Sequence, residues 1–173
     1  LTGISASGGG QALVANKSAT DFDLPATNFA ELDRDVGSNG FIFRQLFDNA
    51  TVETLYYSFV VPYDAAGTDY LKTTIAGYAV TAAADDTVQF AIGYFPSAVG
   101  ETWDTTQVID TISAIPIDGD QDAMDIVVDS TTYTSLGFSA GDHVRAKIHR
   151  CVGCTKDDHA GDWGLTFLKQ EKP

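Results

Sequence analysis

The stretch Gly141-Asp142-His143-Val144-Arg145-Ala146-Lys147-Ile148-His149-Arg150 decides how the rest of the chain is read. Val144, Ala146 and Ile148 fall on one side of an extended backbone, and His143, Arg145, Lys147 and His149 fall on the other. A period of two marks a strand with one buried face and one wet face. After a loop rich in Cys, Asp and His, a second alternating run begins beyond Ala160-Gly161-Asp162, as Trp163-Gly164-Leu165-Thr166-Phe167-Leu168. Two strands joined by a polar loop therefore close the chain.

Upstream the same pattern recurs. Phe41-Ile42-Phe43 with Leu46-Phe47 is short and apolar; Leu55, Tyr57, Phe59 and Val61 alternate and stop at Pro62. Thr74, Ala76, Tyr78 and Val80 read as one face of the next strand, and Val88, Phe90, Ile92 and Tyr94 as one face of another, ending at Pro96. Ile109 to Ile117 and Ile126-Val127-Val128 add strand material. Turn residues punctuate at intervals of roughly ten, the spacing of an all-β sandwich or barrel. The reading is an all-β, antiparallel jelly-roll sandwich of about eight strands. Its expected core includes Tyr57, Phe59, Tyr78, Phe90, Ile92, Val144, Ile148, Leu165 and Phe167.

At 173 residues the chain is long enough for one well-cored domain. Residues 1–20 are rich in Gly, Ser, Ala and Thr, with Gly8-Gly9-Gly10 as a flexible point and Leu13-Val14 as a short apolar patch. They read as a flexible N-terminal arm that docks on a neighbour, or else as a short edge strand of its own domain. The jelly-roll domain is then 21–173. Leu1 in place of Met leaves a processed terminus open. No apolar run approaches the ~20 residues of a membrane-crossing helix.

The charge is lopsided, with 24 acidic residues against 10 basic ones and a net charge of −14. The acids are Glu31, Glu53, Glu101 and Glu171 and otherwise Asp, the acid of turns rather than helices. Such a field repels phosphate backbones and anionic lipid, so neither nucleic acid nor membrane is an expected partner.

Phe41 to Phe167, roughly three quarters of the chain, resembles a β-sandwich domain of tailed-phage virion proteins: capsid decoration proteins, spikes and fibre segments. The residues that carry the likeness are the aromatic run Leu55 to Pro62, the pair of runs Tyr78 to Val80 and Val88 to Tyr94, and above all the ending. That ending is Leu136-Gly137-Phe138-Ser139-Ala140-Gly141-Asp142, a strand finishing in Arg150, an Asp-containing loop, then Ala160-Gly161-Asp162 and an apolar strand. The resemblance implies a structural virion protein of the capsid decoration, cement or surface spike kind, at the virion surface and outside the cell. Its partners would be the major capsid protein or other virion proteins, and its state a homotrimer or homodimer. A carbohydrate-binding module or tail-fibre receptor-binding domain is the alternative, with a glycan as partner. Cys151 and Cys154 depart from the polar loop expected of that layout.

Four sets of residues carry candidate chemistry. His149, Cys151, Cys154 and His159 match the ligand types of a tetrahedral zinc site, while Cys151 and Cys154 alone equally suit a disulfide or two inert thiols. Asp118, Asp120 and Asp122 alternate in a Gly-containing loop and offer oxygens to calcium, although the order is not that of an EF-hand and a solvated acidic turn fits as well. Trp103 beside Asp104 suits stacking on a sugar ring or capping the core. Arg145, Lys147 and Arg150 form a basic stripe for docking, with Leu13 and Val14 as arm contacts. No Gly-x-Ser-x-Gly, His-Glu-x-x-His or phosphate-cradling Gly loop appears, so no enzyme is expected.

Overall fold

A computed structural model describes residues 12–37, 40–81, 85–98, 100–101, 106–117 and 124–173. In chain order these form β1 (Ala12–Ser18), β2 (Glu31–Gly37), β3 (Gly40–Phe47), β4 (Thr54–Val60), β5 (Tyr70–Ala79), β6 (Thr87–Val88), β7 (Phe90–Ser97), β8 (Val108–Thr111), β9 (Ile115–Pro116) and β10 (Asp125–Thr132). The one-turn helix α1 (Tyr133–Leu136) precedes β11 (His143–Arg150) and β12 (Trp163–Lys172). Strand pairing is antiparallel throughout, as expected of an all-β jelly roll.

One sheet runs β10-β5-β12-β3-β2, with β1 also on β12; the second runs β4-β11-β7-β8; β6 and β9 make a small third pair. From β3 onward the chain passes back and forth between the two large sheets, which gives the sandwich its wound topology. Between them lie Phe47, Phe90 and Trp163 at one end, with centroids 5.1 Å and 5.2 Å apart along the row. Tyr94 and Phe138 meet edge to face at 5.3 Å at the other. A polar link crosses the middle: the Gln170 amide donates to the Tyr94 hydroxyl at 2.6 Å, and the Tyr57 hydroxyl donates to the Gln170 carbonyl oxygen at 3.3 Å. Burial pushes both tyrosine hydroxyls well above their ordinary range, so they stay neutral donors.

Seven of the nine expected core residues are buried, and the other two are corrections. In β5 the inward set is Leu71, Thr73, Ile75, Gly77 and Ala79, so Tyr78 lies on the outer face and is half-buried. Gly77 explains the phase: a Cβ there would collide with the Trp163 ring and the Gly164 carbonyl, so the glycine is the notch that seats the tryptophan. In β12 a register shift between Leu165 and Phe167 inserts one residue, and Phe167 turns outward while Leu168 and Gln170 face the core. The Thr166 hydroxyl, donating to the Ala76 carbonyl at 2.9 Å, secures that bulge.

Leu13 and Val14 follow the second of the two readings of this segment, the edge strand. They belong to β1, which pairs with β12 of the same domain from Ala12 opposite Lys172 to Ser18 opposite Phe167. The cause is the length of β12: β3 pairs with only Trp163, Gly164 and Leu165, and the remaining backbone groups on that edge need a partner. Val14 packs against the core, whereas Leu13 stays 58% exposed.

Candidate docking face

The outer face of the β4-β11-β7-β8 sheet collects the charged stripe. In register, His143 lies between Val60 and Ser97, Arg145 between Ser58 and Phe95, Lys147 between Tyr56 and Gly93, and His149 between Thr54 and Ala91. The Arg145 guanidinium sits 4.5 Å above the centre of the Tyr56 ring, and the Lys147 ammonium sits 5.9 Å from that of Phe95. Each cation thus leans diagonally onto an aromatic of the neighbouring strand, a geometry that attracts through the ring quadrupole. Gly93 makes this possible, because a side chain there would strike the Gln107 amide and crowd the Lys147 stem.

Neither Arg145 nor Lys147 has a carboxylate partner among the described residues. Elsewhere Arg44 pairs with Asp33, Arg150 with Asp157, Lys169 with Glu171, and Lys172 with Asp64 and Asp69. In a chain of 24 acids, leaving two adjacent outward cations on rings rather than on carboxylates keeps their charge available to a ligand. Burial, and then the Lys147 charge, hold His149 below the ordinary histidine range, so it is neutral at pH 7. Exposed apolar groups border the stripe: Val60 is 44% exposed and Ile109 60%.

A groove of about 320 Å³ opens at one edge of this face. Its floor is Tyr56, Tyr57 and Ser58 of β4; one wall is Asp23, Leu24 and Pro25, and the other is His143 and Arg145. The first wall is fastened by a two-bond bridge in which the Asp23 N–H donates to the Tyr56 carbonyl at 2.8 Å and the Tyr56 N–H donates back at 2.9 Å.

Arg150 does not belong to the stripe. As the inward residue after Ile148 it is 1% exposed, and its guanidinium holds Asp157 with contacts of 2.7–3.1 Å while donating to the Gly161 carbonyl at 2.7 Å and to the His159 carbonyl. The alternation that placed Val144, Ala146 and Ile148 inside places Arg150 inside too, and the acidic loop supplies its counter-ion.

The zinc set is likewise not assembled. Cys151 and Cys154 are joined to each other as a disulfide. His149 stays on the outer face, while His159, 3% exposed, points its Nδ1 at Asp86 at 3.3 Å. Among the described residues no three His, Cys, Asp or Glu side chains are grouped to hold a metal. Asp118, Asp120, Asp122, Trp103 and Asp104 lie outside the described residues. The sequence reading missed Tyr56, Phe95, Ser58 and Asp23. Tyr56 carried a signal, since it is an aromatic out of phase with the buried Leu55 and Tyr57, but its meeting with Arg145 depends on strand pairing.

Fold and face together define an antiparallel jelly-roll sandwich carrying a cation-on-aromatic surface. No family model and no curated protein matches the chain. Among solved structures it is similar to a carbohydrate-binding module, CBM36, in complex with calcium and xylotriose, at 14% identity and a TM-score of 0.44 over 91% of this chain and 99% of that one. It is also similar to CBM35 from Cellvibrio japonicus Abf62, at 9% identity and a TM-score of 0.43 over 93% and 92% of the two chains. A third likeness is to the structure of infectious bursal disease virus Gx strain, at 8% identity and a TM-score of 0.42 over 91% of this chain and 31% of that one.

Proposed function

We propose that this protein is a non-catalytic structural protein of the virion surface, of the capsid decoration or spike kind. It attaches through the outer face of β4, β11 and β7 to an acidic surface of a capsid or other virion protein. One observation carries the reading: Arg145 and Lys147, side by side on an otherwise strongly acidic chain, rest on Tyr56 and Phe95 with no carboxylate of their own among the described residues. Aromatic and Arg side chains bordered by exposed apolar groups are the composition of interface centres. The net charge of −14 opposes an acidic partner at long range, so the local positive stripe is what lets contact form. The virion setting is supported by the likeness of the Leu136 to Phe167 layout to tailed-phage sandwich domains. A decoration protein seated on a symmetry axis would be a homotrimer or homodimer.

The test is the double substitution Arg145→Glu and Lys147→Glu, assayed by co-sedimentation with virions assembled without the protein. Loss of attachment with an unchanged melting temperature is the expected result; undiminished attachment at wild-type stoichiometry refutes the docking face.

A glycan-binding reading is favoured by one feature, Tyr63, which is 83% exposed and lies against Gly141 beside Asp64. An exposed ring next to a carboxylate suits a sugar. A glycan array, run with calcium and with a chelator, separates the two readings: Tyr63→Ala abolishes any sugar binding and leaves virion attachment intact.

A further inference from the structure

We propose that the docking face captures an extended acidic segment of its partner by strand addition to β4 at Ser58 and Val60. A glutamate or aspartate of that segment reaches over Ser58 into the groove to Arg145. The inference rests on the docking reading above and specifies its geometry.

Hydrogen-bond parity leaves part of the β4 edge open. In an antiparallel ladder a residue's N–H and C=O point to the same side, and the side alternates along the strand. Tyr56 spends both groups on Asp23, and the Thr54 N–H donates to the Asn28 carbonyl at 2.9 Å, so the even residues of β4 face away from β11. Ser58 and Val60 follow in the same phase. Among the described residues their two N–H and two C=O groups have no backbone partner, and both residues are exposed. Unpaired edge groups beside a groove are what an incoming strand uses.

The chain shows why the edge is open there. Asp23 is an isolated one-residue bridge. Antiparallel continuation from it would bring Asp21 alongside Ser58, but Asp21 is committed to a turn: its N–H donates to the Ser18 carbonyl at 3.0 Å and its carboxylate accepts from the Ser18 N–H and hydroxyl at 2.9 and 2.6 Å. The chain therefore fills the position opposite Tyr56 with an acid, Asp23, and leaves the positions opposite Ser58 and Val60 vacant.

Charge selects the occupant. The row that continues outward from Arg145 passes over Ser58, so a side chain opposite Ser58 stands two strand spacings from Arg145, about 9.5 Å. Ser58 is too small to fill that gap. The gap is the groove, and a Glu and an Arg extended toward each other span it. The Arg145 guanidinium, 4.5 Å above the Tyr56 ring and with no carboxylate of its own among the described residues, has N–H groups to offer a bidentate carboxylate. Asp23 on the opposite wall repels that carboxylate toward Arg145. Residues 1–20 of a second copy contain no acid, so charge gives them no preference for this edge.

The probe is a capped heptapeptide, Thr-Glu-Val-Glu-Val-Glu-Thr, added to the full-length protein while amide hydrogen exchange is followed by NMR. At a peptide concentration ten times its dissociation constant, the Ser58 and Val60 amides should exchange roughly tenfold more slowly. A peptide with Lys in place of each Glu, and one N-methylated on alternate residues so that it cannot pair, should give no protection. Ser58→Pro, which removes one donor from an edge position that tolerates proline, should lose the peptide. The proposal is overturned if the Glu peptide does not bind, if it binds without protecting Ser58 and Val60, or if its N-methylated form binds as well. Should the Arg145 and Lys147 double variant lose virions while the peptide protects neither amide, strand addition fails and the docking face stands. Should virions bind that variant normally while the amides are protected, the docking face fails instead.

Discussion

Asp157→Ala is the perturbation whose cost the structure defines most closely. Arg150 and Asp157 are an ion pair with side chains 1% and 2% exposed, joined at 2.7 Å at the closest contact. Removing the carboxylate leaves a guanidinium buried at the base of the loop, and such a broken pair costs about 3–5 kcal/mol. The His159 and Gly161 carbonyls still accept from Arg150, which favours the lower end of that range. For a domain of this size each kcal/mol lowers the melting temperature by about 2–4 °C, so a fall of roughly 6–15 °C is expected in scanning calorimetry. Replacing both members, Arg150→Met with Asp157→Leu, removes charge and counter-charge together and should cost less than Asp157→Ala alone. If Asp157→Ala lies within about 1 kcal/mol of wild type, or if the double variant is the less stable, the pair does not hold the loop in the way described here.

Four further outcomes are expected. Gly77→Ala should destabilise by about 3 kcal/mol or more in urea unfolding, because the added methyl meets the Trp163 ring and the Gly164 carbonyl inside the sheet; equal stability would mean that the tryptophan is seated elsewhere. His149 is held below its unfolded value of about 6.5, so the unfolded chain takes up its proton first; its contribution is full above that pH and declines as pH falls through 6.5 toward the folded value. The fall in stability from pH 7.5 to 5.5 should therefore be shallower in His149→Gln, and an identical slope would remove His149 as its source. Intact mass should show the protein two hydrogens lighter than its reduced form, with no change on adding chelator. Reduction should lower the melting temperature by only a few degrees, since Arg150 on Asp157 and Thr87 on Asp158 continue to hold the loop.

The fold class was legible because alternation is a local property. His143 to Arg150 and Leu55 to Val61 show their buried faces in the residues themselves, and pairing them into one sheet left those faces unchanged. Alternation failed where a single residue altered the phase. At Tyr78 the alternation of Thr74, Ala76, Tyr78 and Val80 pointed to the wrong face, because the notch at Gly77 has meaning only with Trp163 packed against it. At Phe167 the inserted residue is a feature of the pairing with β5, invisible in the run Leu165-Thr166-Phe167. Arg150 is a different case: its position in the alternation was plain, but its charge suggested the surface until Asp157 supplied a counter-ion from the loop.

By itself, then, the sequence determined an all-β sandwich with a net charge of −14 and one strand of outward basic residues, because composition and a period of two are written along the chain. Only the tertiary structure decided which edge of β12 takes Ala12 to Ser18, that Cys151 closes on Cys154 rather than joining His149 and His159, and that Arg145 comes to rest on Tyr56 beside an open groove. Each of these depends on which backbone edges remain unpaired once the strands are stacked, and on distances between residues far apart in sequence, quantities that no local pattern contains.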